Sequence, residues 1–247
     1  MTTIVLVHGG GHGGWCWAPV RKLLQAAGHE VFAPTLSGLG DRAHLLSPEL
    51  GLETHINDIC GLLAFEDLTE VVLVGHSYGG MVITGAVDRA HERIGHLVYL
   101  DAAIPHDGEA LVDISPGLLQ LAGATRFVSG TKLGLWPDEA ASAIYGLDDC
   151  PFKAWAMQRL TPHPWKTITD RLHLKHADRL AQIPRTIINC AATLAKRPQS
   201  LRHRWQQGRV LEIEAGHDLM LTEPAKVYEI LTEIADGSHQ PSGHCAA

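Results

Sequence analysis

The chain has 247 residues, of which 45% are hydrophobic and 19% charged, and its mean hydropathy is close to zero. That is enough apolar material for one folded domain with a substantial core, and it excludes a disordered polymer. The formal net charge of −7 comes with scattered Lys and Arg, which leaves no electrostatic footprint for a phosphate backbone and argues against a nucleic-acid partner.

In chain order, short β-branched runs alternate with longer helical patterns. Strands are expected at 4–7, 30–33, 71–74, 97–100, 186–189 and 210–213, and helices at 17–27, 54–65, 79–89 and 224–235. Pro224 lies in the first turn of the last helix, where its missing N–H costs nothing. This alternation predicts the α/β class, with a mainly parallel sheet covered by helices on both faces. The stretch 104–183 breaks the rhythm: it has repeated Pro and Gly, no clear strand, and many large apolar residues. It reads as a helical insertion, either a cap over a pocket or a second packed layer. The expected organisation is therefore a core of 1–103 and 184–236, a helical cap of 104–183, and a flexible tail of 237–247.

The opening MTTIVLV lacks the basic start and cleavage site of a secretory signal. No segment approaches the roughly 20 apolar residues needed to span a bilayer. The five cysteines are odd in number and form no CxxC pair. A reduced, cytoplasmic protein with no membrane partner is expected, its oligomeric state open.

The chemistry concentrates around Gly75-His76-Ser77-Tyr78-Gly79. Four apolar residues precede it and an apolar helical stripe follows, so GxSxG sits in a strand, sharp turn, helix context that exposes a serine nucleophile. Gly75, Gly79 and Gly80 fit such a crowded turn because they lack a Cβ. Serine needs a base, and His217 lies on the loop after the 210–213 strand, at a strand's carboxyl end where open α/β sheets gather ligands. His76 is too close in sequence to serve, and His173, His176 and His203 lie in helical or basic surroundings.

A carboxylate should orient that imidazole. No Asp or Glu occurs between Asp178 and Glu212, so the loop after the 186–189 strand, Cys190-Ala191-Ala192-Thr193, cannot supply it. Asp101 directly ends the apolar 97–100 run beside the Ser77 turn and is the expected acid; Asp107 and Asp113 lie further into the insertion. A cap of the next loop is the alternative role for Asp101. The glycine-rich run His8-Gly9-Gly10-Gly11-His12-Gly13-Gly14 can bring backbone N–H groups against a substrate. Gly10 and Tyr78 are the expected oxyanion donors.

Gly9, Gly11 and Gly14 formally satisfy GxGxxG, but no P-loop Lys-Ser/Thr follows and no acid ends the second strand, so a nucleotide cofactor is not expected. The sixteen histidines include no HExxH, and His8/His12 and His173/His176 lack supporting carboxylates or thiolates. Neither metal nor organic cofactor is expected. Trp15, Trp17, Trp136, Trp155 and Trp165 are the expected pocket aromatics.

HGGGHGGWCW, GHSYGG and GHDLMLTEP together resemble the small α/β-hydrolase esterases that include plant methylesterases, hydroxynitrile lyases, and bacterial pyrethroid and carbamate hydrolases. PTLSGLGDRAHL and LVYLDAAIP bring the chain nearer the bacterial branch. The resemblance covers most of 1–110 and 184–235 and implies the α/β-hydrolase fold and Ser-His-acid acyl transfer. Two departures stand out. Plant relatives carry their acid where this chain has Ala191-Ala192-Thr193. The lyases of the Hevea type have a lysine and a threonine where this chain has Asp218 and Gly9, which disfavours cyanohydrin cleavage. The expected activity is cleavage of carboxylic esters of bulky apolar or aromatic substrates through an acyl-enzyme. Carbamate, amide or lactone hydrolysis, a lyase, and a non-catalytic ligand-binding role stand as alternatives.

Overall fold

The computed structural model describes residues 1–138 and 140–237; most of the expected tail, from Ser238 onward, lies outside the described residues. Among the described residues, nine strands run in chain order: β1 Thr3–Val7, β2 Glu30–Phe32, β3 Val71–His76, β4 Ile94–Leu100, β5 Arg126–Val128, β6 Thr131–Gly134, β7 His163–Pro164, β8 Arg185–Cys190 and β9 Arg209–Ile213. Six of them form one parallel sheet in the order β2-β1-β3-β4-β8-β9. The helices Ala18–Ala26, Leu52–Phe65, Gly79–Ala90 and Pro224–Ala235 occupy the expected segments.

The apolar runs are continuous because both faces of the sheet are buried. Odd-numbered residues of three strands (Val5, Val7, Val71, Leu73, Leu97, Tyr99) pack with Ile56, Ile59, Val82 and Ile83 on one side. The even-numbered set (Ile4, Leu6, Val72, Val74, Val98, Leu100) packs with Val20, Leu24, Val227 and Leu231 on the other. Period-two side-chain geometry produces this division. Each fully buried aliphatic side chain contributes about 1.5–3 kcal/mol of transfer free energy.

The register brings strand ends together. Val7 pairs with Gly75, His76 with Leu100, Leu100 with Ile188, and Cys190 with Ile213. The segments that follow β1, β3, β4, β8 and β9 therefore leave from one edge. Strand order reverses direction between β1 and β3, the position at which open α/β sheets bind ligands.

The stretch 104–183 departs from expectation. Besides short helices it holds a three-stranded antiparallel sheet, β5-β6-β7. Ser129 and Gly130, with φ of +49° and +79°, make the two-residue turn between β5 and β6, a geometry suited to hairpins. β5 is exposed along its length and β7 is two residues long, so neither carries the burial alternation by which strands are read. Among the described residues, no helix is long and apolar enough to cross a membrane.

Candidate active site

The Ser77 turn is shaped by close approach. A Cβ added at Gly79 would lie 2.8 Å from the Val7 carbonyl oxygen, and one at Gly80 would lie 2.0 Å from the Ala103 carbonyl oxygen. Only glycine lets the helix start this near β1 and the chain after β4. Ser77 itself has φ +54°, a left-handed conformation costly for a side-chain-bearing residue. It is held there by its N–H donating to the Leu100 carbonyl (3.3 Å) and by its carbonyl accepting from Ala103 N–H (3.0 Å).

The structure brings Ser77, His217 and Asp101 into one chain of hydrogen bonds. Ser77 Oγ lies 2.9 Å from His217 Nε2, and His217 Nδ1 lies 2.6 Å from Asp101 Oδ2. Asp101 also has positive φ, +43°. Its N–H donates to the Ile188 carbonyl at 2.7 Å, which turns the carboxylate from the end of β4 toward the segment after β8.

Thr193 and Arg197 wait there. Thr193 Oγ1 donates to the carboxylate at 2.7 Å, and Arg197 Nη2 donates to Oδ1 at 2.5 Å. Burial alone would favour the neutral acid, but the His217 hydrogen bond and charge, with Arg197 and Thr193, outweigh it and hold Asp101 well below the usual carboxylate range. The Arg197 guanidinium in turn lies 4.2 Å from the Trp205 ring centroid, a cation–π distance.

A cavity of about 580 Å³ opens at Ser77 and is lined by both core and insertion. Gly10, Tyr78 and His217 line it from the core, and Leu121, Leu135 and Trp136 from the insertion. A Cβ added at Gly9 would lie 2.8 Å from Ser77 Cβ, so the glycine loop passes directly over the serine. Among the described residues, nothing accepts a hydrogen bond from the Gly10 or Tyr78 backbone N–H.

Of the five expected pocket tryptophans, only Trp136 lines this cavity. Trp17 is fully buried in the core, packed with the aliphatics behind β1, and Trp165 is buried against the other core face. Trp15 borders a separate surface cleft with Arg21 and Arg159, and its ring meets Trp155 edge-on at 5.3 Å. Aromatic content alone could not separate packing from lining. Trp205, which sequence reading passed over, does line the cavity and donates its indole N–H to the Ala102 carbonyl at 2.8 Å. Thr193 and Arg197 were missed as well, because their role depends on a carboxylate roughly ninety residues earlier. Among the described residues, no group of three or more His, Cys, Asp or Glu side chains is placed to hold a metal ion.

Comparison with known proteins agrees with this fold. The pattern of the Alpha/beta hydrolase family matches residues 4–230. The chain is 48% identical to the carbendazim hydrolyzing esterase of a Nocardioides species, over 95% of this chain and all of that protein. It is 30% identical to methylesterase 1 of Arabidopsis thaliana, over 94% of this chain and 95% of that one. The fold is shared with tomato methylketone synthase I, solved with 2-tridecanone, at a TM-score of 0.79 and 24% identity over 96% and 98% of the two chains. With its parallel sheet, its serine on the turn after β3 and its match along nearly the whole sequence, this chain belongs to the alpha/beta hydrolase family.

Proposed function

We propose that the protein is a serine esterase that cleaves carboxylic esters of bulky apolar or aromatic compounds through an acyl-enzyme. The observation that carries this reading is the unbroken Ser77–His217–Asp101 chain opening onto an apolar-walled cavity. The esterase names of the relatives at 48% and 30% identity support an ester as the substrate.

In this reading His217 Nε2 takes the Ser77 proton as Oγ attacks the carbonyl, while Asp101 fixes the imidazole and stabilises its cationic form. The N–H groups of Gly10 and Tyr78 receive the oxyanion; one such donor is worth about 10²–10³ in kcat. His217 then protonates the leaving alcohol, and water repeats the cycle. The core, 1–103 and 184–236, supplies the reacting groups, and 104–183 acts as a cap supplying much of the apolar wall. The reaction needs no cofactor, and a reduced, cytoplasmic setting suits the free Cys16, Cys60, Cys150 and Cys190. A lyase reading is disfavoured because Asp218, where the Hevea-type lyases carry lysine, is buried and bonded to His12.

Replacing Ser77→Ala tests the proposal. Hydrolysis of p-nitrophenyl esters should fall by about 10⁶ in kcat, as for nucleophile loss in other serine hydrolases, with an unchanged melting temperature. Undiminished turnover would reject Ser77 as nucleophile. A panel of aromatic esters, carbamates, amides and lactones, read as kcat/KM, then ranks the substrate classes.

A further inference from the structure

Five histidines, His8, His12, His55, His76 and His163, are completely buried around the glycine loop. Hydrogen-bond partners assign their protons. His8 places Nδ1 against the Gly9 carbonyl (2.8 Å) and accepts from Leu36 N–H at Nε2 (3.0 Å). His163 accepts from Gly11 N–H at Nδ1 (3.1 Å) and meets Thr167 Oγ1 at Nε2 (2.7 Å). His55 gives Nε2 to the Ser37 carbonyl and shares Nδ1 with the Tyr78 hydroxyl. His76 Nε2 donates to the His217 carbonyl at 2.9 Å, and its Nδ1 has no partner. One proton satisfies each of these rings.

His12 differs. Its Nδ1 lies 2.8 Å from the Gly10 carbonyl oxygen, and its Nε2 lies 2.9 Å from Asp218 Oδ2. A carbonyl only accepts, so Nδ1 of His12 carries a proton; Asp218, held in its ionised form by the surrounding histidines, also only accepts, so Nε2 carries one as well and the ring is a cation. Asp218 is fully buried. Its N–H donates to the Tyr145 carbonyl (2.9 Å), and its own carbonyl accepts from Leu221 and Thr222 N–H.

We propose that His12 and Asp218 form a charged, buried pair that positions the oxyanion loop against the loop carrying His217. Asp218 is the residue next to His217 in the chain, and His12 grips the carbonyl of Gly10, so one ion pair ties the two halves of the site together. Neither side chain touches substrate; both are positioning residues, and their role rests on the acyl-transfer reading above.

The physical reason lies in the loop. Gly9, Gly10 and Gly11 in succession leave the backbone free to rotate, whereas an oxyanion donor is effective only if it is aimed beforehand. His8 holds the Gly9 carbonyl and His12 the Gly10 carbonyl. In a trans peptide the N–H points opposite to its C=O, so tying back the Gly9 carbonyl directs the Gly10 N–H the other way. The charge-assisted bond of His12 fixes the next peptide, whose carbonyl it holds at Gly10 while the Gly11 N–H meets His163, so Gly10 is clamped on both sides and more firmly than by neutral rings alone.

The environment fits a single cation. Burial drives His8 and His76 down to about 3 and His55 to about 4, and lowers His163, so each stays neutral. For His12, burial is opposed and outweighed by the Asp218 charge, its hydrogen bond and the Gly10 carbonyl. The Trp15 ring stacks on His12 at 5.4 Å, and the neutral Tyr145 meets it edge-on at 4.8 Å. Asp218 is the only carboxylate bonded to it among the described residues.

The test uses nitrogen-15 NMR of histidine-labelled full-length protein at about pH 8.5, where exposed histidines are neutral, with His12→Gln identifying the signal. Two protonated nitrogens on His12 are expected; a singly protonated His12 overturns the proposal. Asp218→Asn should lower kcat for p-nitrophenyl esters by about 10–100-fold with KM changed less than about threefold. A folded Asp218→Asn protein with kcat within about twofold of the parent likewise overturns it. If that variant does not fold, the NMR measurement on the parent decides alone. Turnover surviving in Ser77→Ala would remove the acyl-transfer reading without altering the His12 signal, so the two failures are distinguishable.

Discussion

Arg197 Nη2 meets Asp101 Oδ1 at 2.5 Å while His217 Nδ1 takes the other carboxylate oxygen at 2.6 Å, so the acid is gripped on both sides. The guanidinium comes from the segment after β8, which itself has no carboxylate to offer. Replacing Asp101→Asn, which presents the wrong partner to the imidazole, should reduce kcat by about 10⁴ with little change in KM. A near-normal rate would move the acid elsewhere. Arg197→Met should leave the buried carboxylate undercompensated and destabilise the fold by about 3 kcal/mol, measured by urea unfolding. An unchanged urea midpoint would show that Thr193 and His217 suffice.

The buried histidines set an acid-side stability slope. His8 and His76 are lowered to about 3 and His55 to about 4, below the ordinary value of about 6.5. Between those limits the unfolded chain binds protons that the folded chain refuses, so stability falls as pH drops, by up to about 1.4 kcal/mol per pH unit for each ring. The depressed Asp101 and Asp218 add a second loss at lower pH, below their unfolded value and through the folded one. His12, raised, contributes the opposite sign, and its stabilisation is lost only as pH climbs through its folded value. Urea unfolding between pH 7 and 5 should show net uptake of about two to three protons, and His8→Asn should remove about one. A flat profile would contradict the neutral assignment.

Two helical glycines make a paired control. A Cβ at Gly80 would stand 2.0 Å from the Ala103 carbonyl oxygen, whereas one at Gly61, inside Leu52–Phe65, would meet nothing within 4 Å. Gly61→Ala should therefore stabilise by up to about 1 kcal/mol, the helix-propensity difference. Gly80→Ala should lower both melting temperature and kcat, because relief requires the Ser77 turn to shift. Equal melting temperatures for the two variants would refute the close approach.

The tryptophans separate lining from packing. Trp136→Ala should raise KM for a bulky aromatic ester by about tenfold, equivalent to about 1.4 kcal/mol, with little loss of stability. Trp17→Ala, emptying a fully buried site, should cost about 3–5 kcal/mol in unfolding free energy while leaving KM near the parent value. The reverse pattern would assign the pocket to the wrong ring.

Local sequence was enough to reveal the parallel sheet and its helices, because strands buried on both faces read as unbroken apolar runs and the glycines around Ser77 answer to a turn only a few residues long. It also singled out Ser77, His217 and Asp101, since Ser77 and Asp101 directly follow strands, His217 lies on the loop after one, and the register of a parallel sheet aligns those ends. Tertiary structure alone decided what surrounds them. Arg197 reaches Asp101, Asp218 reaches His12, and Trp205 rather than Trp17 faces the cavity. Those contacts join residues about a hundred or two hundred positions apart, and such pairings leave no periodicity or spacing for a linear reading to detect. The short strands β5 to β7 escaped for a related reason: β5 is exposed along its length, β6 and β7 are only four and two residues long, and their pairing is specified by the Ser129-Gly130 turn and the partner strand.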